Sequence, residues 1–367
     1  MNEKETLSWL LSGDLSIQFQ VHRDLLDTAR PDLQRRIATE GWGALFLSKQ
    51  RPDGHWGMKF YQPKWISTHY TLQDLRNLCI SQDIGPVREI IDRIITCERA
   101  KDGGINPVGS VDKSDVCING MFLHYACYFG IDASKLEPVI DFILSQKMSD
   151  GGFNCRSNRS GAIHSSLHTT ISVLEGIEEY ERNGYLYRLD ELREARQSSV
   201  EFILRHKFFL SERTGEVIHG DFLRMAYPFR WRYDFLRALD YFQSARIPHD
   251  PRMDPAIEIL LGKQNKDGTW NVPAKIPGQV HFDMETAGKP SRWNTLRALR
   301  ILRRYHDVGR GPRFRGDDNA LELPCCTCHP RESGDRVPTF PSSLVIPVKT
   351  GISLLVLLGM RFRPSPE

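Results

Sequence analysis

The 367-residue sequence lacks a strong charge of either sign, a long apolar run and an N-terminal signal peptide. Its 49 basic and 46 acidic side chains give a net charge of +3. This is too small an excess of positive charge to indicate a nucleic-acid-binding protein. The longest apolar stretch, 344–360, is broken by Pro347 and Lys349 and is shorter than the roughly 20 residues of a transmembrane helix. The apolar run at 7–11 is too short for a signal peptide, so the eight cysteines are expected to be reduced thiols. We therefore expect a cytoplasmic protein with neither a nucleic-acid partner nor a transmembrane segment.

A turn motif recurs along the chain and indicates an internal repeat. The pattern Gln-x-x-Asp-Gly-x-Trp occurs at Gln50–Trp56 and Gln264–Trp270, related copies lie at Glu98–Gly104 and Gln146–Phe153, and a degenerate copy spans 206–216. The copies are flanked by apolar residues at helical spacing. The Asp-Gly pair predicts the end of a helix, because glycine accepts the left-handed backbone conformation and aspartate binds nearby backbone amides.

The repeat predicts an all-α fold. With one further helix pair at residues 5–28, the pattern gives six helical hairpins. A hairpin of two helices cannot bury its apolar faces alone, so neighbouring hairpins must stack. We predict that residues 1–310 form an (α/α)6 toroid, with inner helices around a central cavity and outer helices in contact with solvent.

The segment 311–367 does not continue the repeat. It is rich in proline, and the strings at 311–318 and 328–335 resemble the translation of dispersed repetitive DNA elements found between bacterial genes. We predict a disordered tail that is separate from the toroid. The cysteines at 325–328 are not expected to bind zinc, since no second ligand pair follows at the spacing of a zinc site.

The repeated turns on paired helices resemble those of the terpenoid-cyclase and protein-prenyltransferase superfamily, over roughly residues 1–308. The resemblance implies a toroid with ligand chemistry in the central cavity, at the mouths of the inner helices. Squalene–hopene-type cyclases of this superfamily protonate an alkene with an Asp-x-Asp-Asp motif. That motif is missing, and the only adjacent aspartates, Asp317 and Asp318, lie in the tail, so class II cyclisation is not expected.

The β subunits of protein prenyltransferases bind zinc through Asp, Cys and His, and the resemblance implies a similar site. Asp115 and Cys117 follow a Gly-Gly pair at nearly the family's distance, and His164 and His168 begin the next inner helix, near the family's histidine ligand. One carboxylate, one thiolate and one imidazole would leave a zinc position open, as in catalytic sites. The residues alone leave a plainer interpretation open, in which Asp115 caps a helix and Cys117 is a small buried apolar residue.

A basic segment accompanies this predicted zinc site. Arg156 and Arg159 follow Gly151–Phe153 and are similar to the family's diphosphate-contacting cations. In the family these cations and the Asp-x-Cys pair lie in one repeat, whereas here they lie in successive repeats. If the basic segment sets the register, Ala162 stands at the aspartate position and His164 at the cysteine position. The zinc prediction therefore depends on which repeat corresponds to that of the family.

Cations and aromatic residues also meet near the starts of the predicted inner helices. Arginine binds phosphate or carboxylate through two points, and aromatic rings stack on apolar ligand surfaces. In the alternative interpretation the arginine side chains extend to the rim of the toroid, and the tryptophans pack between hairpins. The candidate ligand-binding residues of this group are His69, Tyr70, Arg230, Trp231, Arg232, Tyr233, Arg292 and Trp293.

These features predict a zinc-assisted, prenyltransferase-like transferase that binds a small amphipathic or anionic ligand, such as a prenyl diphosphate. Two alternatives stay open. One is a carbohydrate-active (α/α)6 enzyme that uses a pair of carboxylates. Candidates for that pair are Asp221, Asp234, Asp283 and Glu285, the last two in an enlarged loop at 271–290. The other is a ligand-binding toroid without catalysis.

Overall fold

The structure is a computed structural model that describes residues 3–107 and 111–305, with the side chain of Arg159 left aside. The predicted all-α class is confirmed, because helices dominate these residues and the named strands among them are two residues long. The predictions for 311–367 lie outside the described residues. The α-helices are α1 (Glu3–Leu11), α2 (Leu15–Asp24), α3 (Pro31–Arg36), α4 (Gly41–Leu47), α5 (Thr68–Asn77), α6 (Gly85–Cys97), α7 (Val116–Tyr128), α8 (Ala133–Ser145), α9 (Cys155–Ser160), α10 (Leu167–Arg182), α11 (Leu189–Arg205), α12 (Phe235–Ser244), α13 (Asp254–Gly262) and α14 (Arg292–Tyr305). Short 3-10 helices span Gly220–Leu223 and Pro251–Met253, and β1 (Trp270–Asn271) pairs antiparallel with β2 (Pro290–Ser291).

The Asp-Gly turns adopt the backbone geometry that the repeat predicts. The glycines take positive φ values from +77° to +102°, at Gly54, Gly103, Gly151 and Gly268. The aspartates accept bonds from backbone N–H groups, as Asp267 does from Thr269 at 3.0 Å. Because only glycine adopts these φ values without strain, each turn fixes where its helix ends.

One hydrogen bond recurs after each of the four well-matched turns. The residue three positions after the aspartate donates its N–H to a polar side chain near the start of the following helix. The pairs are Trp56 with Thr68, Ile105 with Asn119, Phe153 with Thr170, and Trp270 with Thr295, at 2.7–3.1 Å. The two tryptophans are fully buried, and each donates its indole N–H to a carbonyl ten residues earlier, of Phe46 or Leu260. The sequence repeat is therefore a structural repeat that ties each turn to the next helix.

Helix α7 is the most enclosed element, because all its residues are buried. It packs along α10, and two glycines permit the close approach. A Cβ atom on Gly120 would lie 2.7 Å from backbone atoms of Ser172, and one on Gly176 would lie 2.6 Å from the carbonyl oxygen of Gly120. This crossing sets the positions of both ends of α7. Within the described residues no helix has the length and apolar character needed to cross a membrane.

Candidate metal centre and its surroundings

Asp115, Cys117 and Cys155 form the group of potential metal ligands that the described residues bring together. One carboxylate oxygen and the two sulfur atoms lie within 4.8 Å of one another. Cys117 is buried, whereas Asp115 and Cys155 are half-buried. Two thiols and one carboxylate at such distances suit an ion with mixed sulfur and oxygen ligands and leave room for a fourth ligand.

Local structure holds the three ligands in place. Asp115 caps α7 and accepts the N–H of Cys117 at 3.2 Å, while the Cys117 thiol donates to the same oxygen at 3.2 Å. Cys155 begins α9, where its own N–H is fixed by the Thr169 hydroxyl at 3.1 Å. The N–H of Cys117 also donates to the sulfur of Cys155 at 3.2 Å. The hydrogen bond with Cys155, burial and the Asp115 carboxylate raise the pKa of the Cys117 thiol well above its usual range.

The two histidines predicted as metal ligands lie outside this group. His164 is exposed in the loop before α10. His168 accepts the backbone N–H of Tyr233 at its Nδ1 atom and packs against Phe222 and Trp231. Burial is the main cause that lowers the pKa of His168 to about 4. Ligation by either histidine stays a prediction, and the potential ligand that the described residues bring next to Asp115 and Cys117 is Cys155.

Aromatic side chains border the cysteine pair. Tyr61 and Trp231 pack against the small cluster of Cys117, Ile118 and Met121. The Tyr61 hydroxyl lies 2.9 Å from the hydroxyl of Tyr70, which is fully buried. An apolar ligand group next to the cysteines would therefore contact aromatic rings.

His69, also predicted to contact ligand, is fully buried beside these rings. Its Nδ1 atom lies 3.1 Å from the Tyr125 hydroxyl, and its Nε2 atom has no partner among the described residues. Burial, with a smaller effect from Lys64, lowers the pKa of His69 to about 3, so this imidazole is neutral at pH 7.

The predicted cationic residues are spread over separate contacts. Arg230 donates to buried Asp74 at 2.7 Å, Arg232 pairs with Asp221 at 2.9 Å, and Arg292 lies over the Trp9 ring. Arg156 is exposed. Tyr233 donates its hydroxyl to the carbonyl of Phe208, and Trp293 stacks between Trp42 and Tyr227. Several predicted ligand residues thus have structural contacts of their own.

The carboxylates of the carbohydrate-enzyme alternative are likewise engaged. Asp234 caps α12, and Asp283 pairs with Lys275 at 2.6 Å. Glu285 accepts the backbone N–H of Arg292 at 2.6 Å and also binds the Ser291 hydroxyl, so it caps α14. With Asp221 paired to Arg232, each of the four has a structural partner.

The enlarged loop 271–290 closes over a cavity of about 230 Å³. Backbone bonds join it to the segment before α5, since the N–H of Trp65 donates to Gln279 at 2.8 Å and the indole N–H donates to Pro277 at 2.8 Å. His281 lies 2.9 Å from the Thr71 hydroxyl. The cavity is lined by apolar residues, by the Asp74–Arg230 pair and by further polar side chains of the loop, namely Lys275, His281, Asp283, Glu285 and Thr286.

The burial of His281 predicts a pH dependence of stability. Burial, helped by Arg230, lowers the pKa of His281 from 6.5 to about 4. Between these values the unfolded chain binds about one more proton at this residue, so the effect of His281 is to lower stability as pH falls from about 6.5, and this effect levels off near 4. In His281→Gln, whose amide can still bond to Thr71, the slope of unfolding free energy against pH should decrease by about one proton. Urea titrations from pH 4 to 7 measure this slope, and an unchanged slope would contradict the prediction.

The comparisons with known proteins assign no family. No family model matches the chain, and no curated protein shows detectable sequence similarity to it.

Proposed function

We propose that this protein is a zinc-assisted transferase with a toroidal fold of six helical hairpins, which alkylates a thiol with an isoprenoid-type diphosphate. The observation that carries the proposal is the convergence of Asp115, Cys117 and Cys155 beside aromatic residues. The resemblance of the repeat to prenyltransferases gives the reaction class.

Contacts between successive helices support the toroid. Helix α7 packs on α5 and α10, and α12 packs on α14. Gln20 of α2 donates to the carbonyl of Asn77 in α5, and Arg237 of α12 pairs with Glu175 of α10. Arg300 of α14 pairs with Asp240 of α12 and with Asp24 of α2. The order α2, α5, α7, α10, α12, α14 and back to α2 is the one expected of an inner ring.

The three ligands fit zinc by their chemistry. Thiolates are its preferred ligands, a carboxylate is accepted, and three protein ligands with an open fourth position are typical of catalytic zinc. The hydrogen bond with Cys155, burial and the Asp115 carboxylate raise the pKa of the Cys117 thiol, so zinc binding would have to release its proton and should weaken as the pH falls. Bound there, zinc would lower the pKa of a substrate thiol in the fourth position and favour the nucleophilic thiolate.

The residues around the cluster suit an apolar chain. Tyr61 and Trp231 offer ring faces, and the proposed role of these rings is to hold the isoprenoid next to the acceptor thiol. In the reaction the sulfur forms a bond to the allylic carbon, the bond from that carbon to the diphosphate oxygen breaks, and the thiol proton leaves to solvent. The exposed Arg156 lies one residue from Cys155 and is the proposed contact of the departing diphosphate.

Metal analysis tests the site. The full chain, with Cys325, Cys326 and Cys328 changed to serine so that tail thiols contribute nothing, should purify with about one zinc per molecule. Cys117→Ser and Cys155→Ser should each lose most of it, because each removes one of the three ligands. Cys97→Ser is the matched control, since Cys97 is exposed and outside the cluster. A chain without zinc, or equal zinc in the three variants, would contradict the proposal.

The activity is tested separately. The zinc-loaded chain is incubated with geranyl or farnesyl diphosphate and glutathione, and the thioether is measured by mass spectrometry. Product that requires Cys117 supports the transferase. Stoichiometric zinc without product for either diphosphate would favour a ligand-binding toroid instead.

A further inference from the structure

A second and larger cavity lies at the opposite end of α7 from the metal cluster. It has a volume of about 1160 Å³ and is lined by residues of α2, α5, α7, α10, α12 and α14, which on α5, α7 and α10 lie in the C-terminal half of the helix. Cys117 is in the first turn of α7, whereas Tyr128 of the cavity is its last residue. These two residues lie about 16 Å apart along the axis of α7. The cavity is large enough for a metabolite-sized ligand.

Cations outnumber anions around this cavity. Among the described residues that line it, nine are arginines and six are aspartates or glutamates. Much of this charge is paired between helices. Arg237 donates through two nitrogens to both oxygens of Glu175, at 2.8 and 2.6 Å, and Arg76 pairs with Glu179. The pairing leaves an excess of positive charge.

Arg297 carries unmatched donors at this cavity. Its side chain is 2% exposed, and it donates through Nε to Asp240 at 3.1 Å. Its Nη1 and Nη2 atoms have no hydrogen-bond partner among the described residues. Arg300 already donates to both oxygens of Asp240, at 2.5 Å each, so Asp240 is not a counter-ion for Arg297 alone.

Further unpartnered groups belong to the same cavity. Trp293 precedes Arg297 by four residues, on the same face of α14, and its buried indole N–H has no acceptor among the described residues. Arg76 Nε, His124 Nδ1 and the Tyr241 hydroxyl also lack partners in the described part of the chain, and their residues line the cavity. Buried donors without acceptors are costly, and a buried guanidinium more so. Their concentration here indicates that an acceptor-rich group completes the cavity.

We propose that this cavity binds an anionic small molecule whose carboxylate or phosphate group accepts hydrogen bonds from Arg297 and Trp293. The planar guanidinium presents two parallel N–H donors to such a group. The Phe229 ring lies 4.2 Å from the Arg237 guanidinium and 5.6 Å from that of Arg297, so it holds both cations without neutralising them. The ligand supplies the missing negative charge.

Binding of two probes to the full chain tests the proposal. Citrate represents carboxylates and pyrophosphate represents phosphates, each compared with sodium chloride at equal ionic strength, and titration calorimetry and the melting temperature are measured. At least one probe should bind with millimolar affinity or better and raise the melting temperature, because it binds only the folded chain. Arg297→Met should weaken that binding at least ~10-fold. The control, Arg193→Met, removes an exposed and paired arginine on α11 and should bind like the parent.

Arg297→Met should still fold, because Arg300 continues to pair with Asp240. Its melting temperature without probe should equal or exceed that of the parent, since the buried charge that is removed shares its counter-ion, Asp240, with Arg300. Arg297→Lys keeps the positive charge but loses the two parallel N–H donors of the guanidinium. Its affinity for the probe should lie between those of the parent and Arg297→Met. Failure of both probes to bind would mean that the cavity has no affinity for a carboxylate or a phosphate, and equal affinity in Arg297→Met and Arg193→Met would mean that the probe binds away from Arg297. Either result would overturn the proposal.

Discussion

Alanine at Gly120 is expected to lower the free energy of unfolding by about 3 kcal/mol, although alanine is the better helix former. The new Cβ atom would lie 2.7 Å from the backbone of Ser172, well inside van der Waals contact. Backbone cannot move away as a flexible side chain can, so α7 and α10 would have to separate. Urea unfolding of the full chain measures the loss.

Gly262→Ala is the matched control for this substitution. Gly262 ends α13, and no atom lies within 4 Å of the position its Cβ would take. There the substitution should be neutral or stabilise the chain by up to about 1 kcal/mol. Equal stability of the two variants would contradict the close crossing of α7 and α10.

The same crossing links the two proposed sites. Helix α7 supplies Cys117 at its start and His124 and Tyr128 toward its end, and α10 supplies Thr169 behind Cys155 and Glu179 at the large cavity. A shift of α7 relative to α10 would therefore disturb both the metal cluster and the large cavity. We expect Gly120→Ala to weaken zinc and anion binding together, whereas Arg297→Met should affect only the anion.

The sequence predicted the repeat because its signal is local. An Asp-Gly turn is determined by the backbone preference of glycine and by bonds within a few residues, so Gly54 and Gly268 could be interpreted without a structure. The candidate metal centre was only half predictable. Asp115 and Cys117 are neighbours in sequence, but Cys155 joins them only through helix packing across 38 residues. In the sequence Cys155 stands shortly after a Gly-Gly-Phe turn. That position alone does not indicate a metal ligand, because it does not show which residues the helix packing brings beside it.

The cationic residues show a second limit of sequence interpretation. Arginines near aromatic residues predicted a ligand site, yet the partners of Arg230 and Arg232 are acids placed beside them by the fold. Within the part of the chain that the structure describes, Arg297 of the Arg-rich α14 has both Nη atoms buried without a partner. The sequence composition could not distinguish Arg297 from the paired arginines of the same helix, since the counter-ions of these arginines are supplied by other helices.

The pair of Asp74 and Arg230 gives the other large expected effect. Both side chains are buried, at 4% and 6% exposure, and burial raises the pKa of Asp74 despite the opposing effect of Arg230. Asp74→Ala would leave Arg230 buried without its anion, at an expected loss of about 3–5 kcal/mol in unfolding free energy. Chemical denaturation of the full chain at pH 7 measures the loss.

A double variant distinguishes the contribution of the ion pair to stability from that of the packing around it. Asp74→Leu with Arg230→Met removes both charges and fills a similar volume, so it should recover most of the lost stability. The coupling energy from the two single variants and the double variant then reports the pair itself. If the double variant is as unstable as Asp74→Ala, the destabilisation comes from lost packing rather than from an unpaired guanidinium. Recovery would mean that the ion pair itself is not needed for stability. In the parent chain Asp74 would then offset the cost of burying the Arg230 guanidinium beside the loop cavity.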